Sequence, residues 1–228
     1  MKTRIILPDT DGISEAGAIL RSGGLVAFPT ETVYGLGANA LDAVATKRIY
    51  EAKGRPSDNP MIVHVASIDM LNGVASGVTD AQKAIMSKLW PGPITFVLRK
   101  NPAVPDVTTG GLDTVAVRWP SRHEAAEIIE AAGVPIAAPS ANLSGKPSPT
   151  TFEDVAEDMD GRIDAIVKGE RTAIGIESTV LDLTSEVPTI LRPGFITKSQ
   201  IEEAACCEVK YDPSLFKKPE ADDFHPKS

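Results

Sequence analysis

At 228 residues, with 42% hydrophobic and 5% aromatic content, the chain is long enough to bury one aliphatic core. Its formal net charge of −8 disfavours a strongly basic nucleic-acid groove but leaves room for a local basic pocket. No apolar run approaches the roughly 20 residues that span a bilayer, and the adjacent Cys206 and Cys207 have no His or Cys at zinc spacing.

Taken in chain order, residues 1–7 read as a short strand, with Ile5-Ile6-Leu7 stopped by Pro8. No secretory leader is expected there, and the expected compartment is the cytoplasm. Ile13, Ala16 and Leu20 mark a helix that Gly23-Gly24 ends. Leu25 to Phe28 is a strand broken at Pro29. Thr30, Glu31, Thr32 and Tyr34 then crowd hydroxyls and a carboxylate into a loop, and Gly35 and Gly37 read as a turn. A helix with Ala45, Ile49 and Ala52 on one face ends in the cationic corner Lys53-Gly54-Arg55-Pro56. After Ser57-Asp58-Asn59-Pro60, the apolar strand Met61 to Val65 carries His64.

Thr79 with Gln82 forms a capping box for a helix striped by Ala81, Ile85 and Leu89. Trp90-Pro91-Gly92-Pro93 forbids its continuation. Ile94 to Leu98 is a strand, Lys100 to Thr109 a loop, and Thr114 to Arg118 another strand. Ser121 with Glu124 reads as a second capping box, heading a helix that buries Ala125, Ile128, Ile129 and Ala132 and stops at Gly133. Val134 to Ala138 is a strand, and the loop from Pro139 to Pro149 follows it. Thr151 with Asp154 starts a helix. Strands are expected at Ala165 to Lys168, Ser178 to Leu183 and Pro188 to Arg192, and a helix from Thr197 to Cys207. Alternating strands and helices without an internal repeat predict an α/β sheet with helices on its faces. Residues 1–207 are expected to form one domain and 208–228 a mobile tail.

Several side chains invite chemistry. Lys53 and Arg55 at a helix end complement the macrodipole or form an anion clamp, with Arg binding phosphate bidentately. The Ser140-Ala141-Asn142 loop leaves the carboxyl end of a strand, where α/β sheets bind ligands, yet the same residues also make ordinary turns. Arg118 and Arg192 at strand ends need a carboxylate, a phosphate or a bound anion. His64 in an apolar strand fits a hydrogen-bonded core histidine. Ser178 and Thr179 fit a cap or a substrate contact. No catalytic triad order, Walker-type loop, dinucleotide fingerprint or zinc spacing is present in the sequence.

The stretches FPTETVYGLG, KGRP with SDNPMIVHV, WPGPITFVL, VAVRWP, APSANLSGKPSPTT, ESTVLDL and ILRPG, in this order, resemble the YrdC/Sua5 family of L-threonylcarbamoyladenylate synthases. The resemblance covers roughly residues 10 to 200, and the family's Lys-x-Arg and Ser-x-Asn signatures stand at Lys53-Gly54-Arg55 and Ser140-Ala141-Asn142. It implies a twisted mixed parallel and antiparallel sheet with flanking helices around a large positive cavity, in the short, single-domain form. It implies the joining of L-threonine, bicarbonate or carbon dioxide, and ATP with Mg²⁺ into threonylcarbamoyl-AMP, with pyrophosphate released. The product would feed threonylcarbamoylation of adenosine 37 in tRNA through a separate transferase. By similarity, Thr32, His64, Arg118 and Ser178 would hold threonine. Lys53, Arg55, Asn59, Thr114, Ser140, Asn142, Thr150 and Arg192 would line the ATP side, with Lys53 and Arg55 catalytic. The resemblance implies no resident metal site, no membrane and no strong direct grip on nucleic acid. An alternative reading is an RNA-binding or ribosome-maturation factor of the same fold, against which the acidic balance weighs. A carbamoyl-transfer module of the hydrogenase-maturation branch would need zinc-finger cysteines that the sequence does not hold.

Overall fold

The computed structural model describes residues 2–54, 56 and 59–216. The chain opens with β1 (Arg4–Ile6) and α1 (Thr10–Arg21), whose first turn is capped by the Asp9 carboxylate accepting from Gly12 N–H at 2.9 Å. Next come β2 (Val26–Pro29), β3 (Tyr34–Asn39), α2 (Ala43–Lys53) and β4 (Ile62–His64). α3 (Ile68–Val74) and the short α5 (Asp106–Thr109) fall where the sequence predicts no helix; between them lie α4 (Asp80–Leu89) and β5 (Ile94–Arg99). Then follow β6 (Thr114–Arg118), α6 (His123–Ala132), β7 (Ile136–Ala137), α7 (Phe152–Met159) and β8 (Ala165–Val167). β9 (Thr179–Asp182), β10 (Thr189–Arg192), α8 (Lys198–Ala205) and β11 (Lys210–Tyr211) complete the order.

Among the described residues the strands form one sheet, ordered β1-β8-β2-β3-β7-β4-β6-β5-β9-β10-β11. Parallel pairs (β1/β8, β2/β8, β4/β6, β5/β9, β10/β11) mix with antiparallel ones (β2/β3, β3/β7, β4/β7, β5/β6, β9/β10). The expected mixed sheet with flanking helices is what the chain forms. β2 shows how both faces fill: Val26 and Phe28 pack with α1 and α6, while Leu25 and Ala27 belong to the larger core on the opposite side. α1 and α6 touch at Gly17, where a Cβ would lie 2.7 Å from Ala131.

Several local expectations need correction. Gly35 and Gly37 are not a turn but lie inside β3. A Cβ at Gly37 would sit 2.7 Å from the Phe28 ring and 2.9 Å from Ile136, so close approach, not turning, demands glycine there. The Tyr34 hydroxyl leaves the polar loop and donates to the Gly169 carbonyl at 2.9 Å; burial pushes its pKa up to about 12. The capping boxes at Thr79/Gln82 and Thr151/Asp154 form, but Ser121/Glu124 does not: α6 begins after Arg122 without a side-chain cap. Glu31 takes the Ser121 N–H at 3.2 Å, and Arg122 takes the Glu124 carboxylate at 2.8 Å. In the stretch read as a tail, Lys210–Tyr211 pairs with β10 and a 3₁₀ turn spans Pro213–Phe216, so the sheet continues past residue 207. Residues 217–228 lie outside the described residues.

Candidate active site

A cavity of about 450 Å³ opens over one face of the sheet. The two-residue period of the strands builds its floor: Ile62 and His64 of β4, Thr114, Ala116 and Arg118 of β6, Val97 of β5 and Val180 of β9 all line it. Their neighbours Val63, Val115, Val117, Phe96, Leu98 and Leu181 point the other way, into the core. The parallel register sets His64 beside Arg118. The walls come from the loop after β2, the end of α2, the loop after β7 and the ends of β9 and β10.

Arg118, 4% exposed, is pinned from the β2–β3 loop. It donates through Nη1 to Thr32 Oγ1 at 2.9 Å, and its Nη2 lies 2.8 Å from Glu31 Oε1. That second contact is an ion pair without an aligned hydrogen bond, so Nε and Nη2 keep donor capacity with no aligned partner among the described residues. Both readings of this arginine therefore apply: a structural salt bridge to Glu31, and a guanidinium in the cavity lining whose buried Nε and Nη2 lack aligned partners. Thr30 bonds Thr32 Oγ1 at 3.0 Å and the Val33 carbonyl at 2.6 Å, fixing the loop. On the opposite wall, Ser178 Oγ lies 2.8 Å from Thr95 Oγ1 and 3.2 Å from Arg192 Nη2.

Lys53 is 3% exposed at the last turn of α2, where Gly54 leaves the helix in the left-handed conformation at φ 62°. Its ammonium donates to the carbonyls of Ser140 and, at 2.7 Å, Asn142, and its own carbonyl accepts from Ser144 N–H at 2.9 Å. The helix end and the Ser140-Ala141-Asn142 loop thereby form one wall. Asn142 donates to the carbonyls of Leu143 and Lys146, both at 2.8 Å, which leaves its buried Oδ1 without a partner among the described residues. Gly35 makes room for this loop, since Ala138 Cβ lies only 3.3 Å from where a Cβ would stand.

Three cations, Lys53, Arg118 and Arg192, and one carboxylate, Glu177, line the cavity among the described residues. Arg192 pairs with Glu177 and donates through Nε and Nη2 to the Ser178 carbonyl at 3.2 and 2.9 Å. Burial lowers the Arg192 pKa, the Glu177 carboxylate pulls it back up, and the charge of Arg118 adds to the lowering. His64 is driven down to about 3, first by burial and then by the Arg118 charge, so it is neutral at pH 7. Both arginines thus carry partner carboxylates, Glu31 for Arg118 and Glu177 for Arg192.

Of the residues expected to act, Thr32, His64, Arg118, Ser178, Lys53, Thr114, Ser140, Asn142 and Arg192 converge on this cavity. Arg55 lies outside the described residues. Asn59 does not line the cavity; its carbonyl accepts from the Tyr50 hydroxyl at 2.7 Å. Thr150 lines a separate hollow of about 330 Å³ with Lys146, Asp154 and Asp158. Thr30, Ser144 and Glu177 also line the cavity; Ser144 and Glu177 bond residues distant in sequence, whereas Thr30 bonds its near neighbours Thr32 and Val33. Asp158 of α7 escaped notice: it accepts from Leu143 N–H at 3.0 Å and from Lys146 Nζ, bracing the loop from behind.

Comparison with known proteins supplies the context for this geometry. The sequence model of the Sua5/YciO/YrdC family, described as "Telomere recombination", matches residues 18–194. The chain is 53% identical over 203 residues to a protein named threonylcarbamoyl-AMP synthase in Pyrococcus abyssi, covering 89% of this chain and 59% of the relative. It is 56% identical over 191 residues to the protein of that name in Bacillus subtilis, covering 83% and 55%. The crystal structure of P. abyssi Sua5 complexed with L-threonine superposes with a TM-score of 0.92 at 50% identity, over 96% of this chain and 65% of that one. The chain thus spans less than two thirds of the length of these relatives.

Proposed function

The chain belongs to the Sua5/YciO/YrdC family, and on that premise we propose that it condenses L-threonine, bicarbonate (or carbon dioxide) and ATP into L-threonylcarbamoyl-AMP, releasing pyrophosphate. The observation that carries this reading is the meeting, in one cavity, of Arg118 and its spare donors with the Lys53-braced Ser140-Ala141-Asn142 wall. One end suits an amino-acid carboxylate and the other a nucleotide.

In this reading the threonine carboxylate lies against Arg118, with Thr32, His64 and Ser178 around the rest of the amino acid. A neutral His64 beside Arg118 adds no second positive charge and can serve the threonine hydroxyl as a hydrogen-bond partner. The threonine amine takes up the carbon of bicarbonate and loses water, giving a carbamate. A carbamate oxygen then attacks the α-phosphorus in line, forming the P–O bond as the bond to the departing pyrophosphate breaks. Two anions must meet, so most of the acceleration comes from positioning. Lys53, with Arg55, offsets charge on the phosphoryl oxygens. Thr114, Ser140, Asn142 and Arg192 fix the nucleotide; Asn59 and Thr150 are not among the residues lining this cavity. Among the described residues no cluster of three or more His, Cys, Asp or Glu is placed to hold a resident ion. Mg²⁺ is read as arriving with the nucleotide, coordinated chiefly by phosphate oxygens and water.

The product suits a separate transferase acting on tRNA adenosine 37, which removes the need for this acidic chain to grip tRNA. We read the protein as working in the cytoplasm, beside the tRNA that its product modifies; among the described residues no helix is long and apolar enough to cross a membrane. Pyrophosphate release tests the proposal: it is expected only when threonine, bicarbonate and ATP are all present. Release that persists without threonine, or none with all three, defeats it.

A further inference from the structure

Glu177 is the one carboxylate among the described residues lining the cavity, and it meets one donor of the cavity, Arg192, and one of the neighbouring hollow, Ser148. Its Oε2 pairs with Arg192 Nη1, and its Oε1 accepts from Ser148 Oγ at 3.2 Å. Arg192 commits Nε and Nη2 to Ser178, so Nη1 is the corner of the guanidinium that Glu177 covers. A carboxylate held between a guanidinium and a hydroxyl occupies the kind of position that a phosphate oxygen takes.

The backbone and the side chain of Glu177 differ in freedom. Gly194 packs so tightly on this segment that a Cβ there would lie 2.6 Å from the Glu177 carbonyl and 2.5 Å from Thr179 N. Thr179 N–H is tied to the Pro93 carbonyl at 3.1 Å. The Glu177 side chain, in contrast, is 40% exposed, and that of its partner Arg192 37%. The other arginine–carboxylate pair of the site, Arg118 with Glu31, is 5% and 10% exposed and has no comparable room.

We propose that Glu177 is a resident anion that gates the nucleotide end of the cavity. In the free protein its carboxylate covers Arg192 Nη1 and Ser148 Oγ, and side-chain rotation withdraws it when a polyphosphate arrives. The gate favours ligands that carry several negative charges, because a weak single anion does not displace it. The inference rests on the nucleotide reading of the cavity given above.

Calorimetric titration of the full chain with ATP and with inorganic pyrophosphate, with and without Mg²⁺, tests it on the wild type, Glu177→Gln, Glu177→Ala and Glu177→Gln/Arg192→Gln. Thermal melts certify that each variant is folded, and having two replacements at 177 guards against one that is not. Both single variants should bind pyrophosphate about two- to fivefold more tightly than wild type, the scale on which a half-exposed ion pair competes. The gain should vanish when Arg192 is also replaced. Unchanged or weaker binding in folded Glu177 variants, with the wild type binding normally, overturns the gate alone. Weakening confined to titrations with Mg²⁺ makes Glu177 a holder of the divalent cation and overturns the gate too. Absence of ATP and pyrophosphate binding in every protein removes the nucleotide reading and the gate together.

Discussion

His64 shows what a single side chain reports about the site. It is 3% exposed, in register with Arg118 on the neighbouring strand, and its Nδ1 has no partner among the described residues. Its folded pKa of about 3 lies below the 6.5 of a free imidazole. As pH falls through about 6.5 the unfolded chain takes up a proton that the folded chain refuses until about 3. Stability is therefore lost across that window, with a slope approaching about 1.4 kcal/mol per pH unit. Chemical denaturation at intervals from pH 7 to pH 4 should show a shallower loss in His64→Gln than in wild type, since glutamine does not titrate. Parallel pH profiles for the two proteins would mean that His64 is not held neutral by its surroundings. The sequence identified the residue and suggested a hydrogen-bonded core histidine. Only the family resemblance set it beside Arg118, because β4 and β6 are brought together by the sheet and not by any local pattern.

At the scale of elements, the wall that includes Ser140 and Asn142 depends on two supports. Lys53 at the end of α2 holds its carbonyls from one side. Asp158 of α7 holds Leu143 N–H and Lys146 from the other, and the Lys146 carbonyl in turn receives Asn142 Nδ2 at 2.8 Å. Hydrogen bonds to a buried charge contribute about 1.5–3 kcal/mol. Asp158→Ala should therefore speed amide exchange at Leu143 by roughly tenfold or more, while amides of α4 stay as protected as before. Equal protection of Leu143 in both proteins would show that the loop does not need this brace. Capping boxes illustrate what was legible here and what was not. Thr79/Gln82 and Thr151/Asp154 are closed local devices and form as read. Ser121/Glu124 has the same spacing, but Glu31, 90 residues away in sequence, takes the Ser121 N–H. Asp158 and Glu177 left no local signature because each acts on a segment far from it in sequence.

For the molecule as a whole, alternating strands and helices were enough to predict an α/β sheet, and the family resemblance supplied its mixed character. The strand order was beyond the sequence, since neighbours such as β1 and β8, or β5 and β9, lie far apart along the chain. That order is what gathers Lys53, His64, Arg118, Ser140, Asn142 and Arg192 around one cavity. It also makes the account a claim about this chain's own residues, although its named relatives are longer. The most direct test is mass spectrometry of the products formed by the purified chain with ATP, Mg²⁺, threonine and ¹³C-bicarbonate. The account predicts threonylcarbamoyl-AMP carrying the label in its carbamoyl carbon. Labelled bicarbonate left unincorporated, with ATP and threonine unchanged, would contradict it.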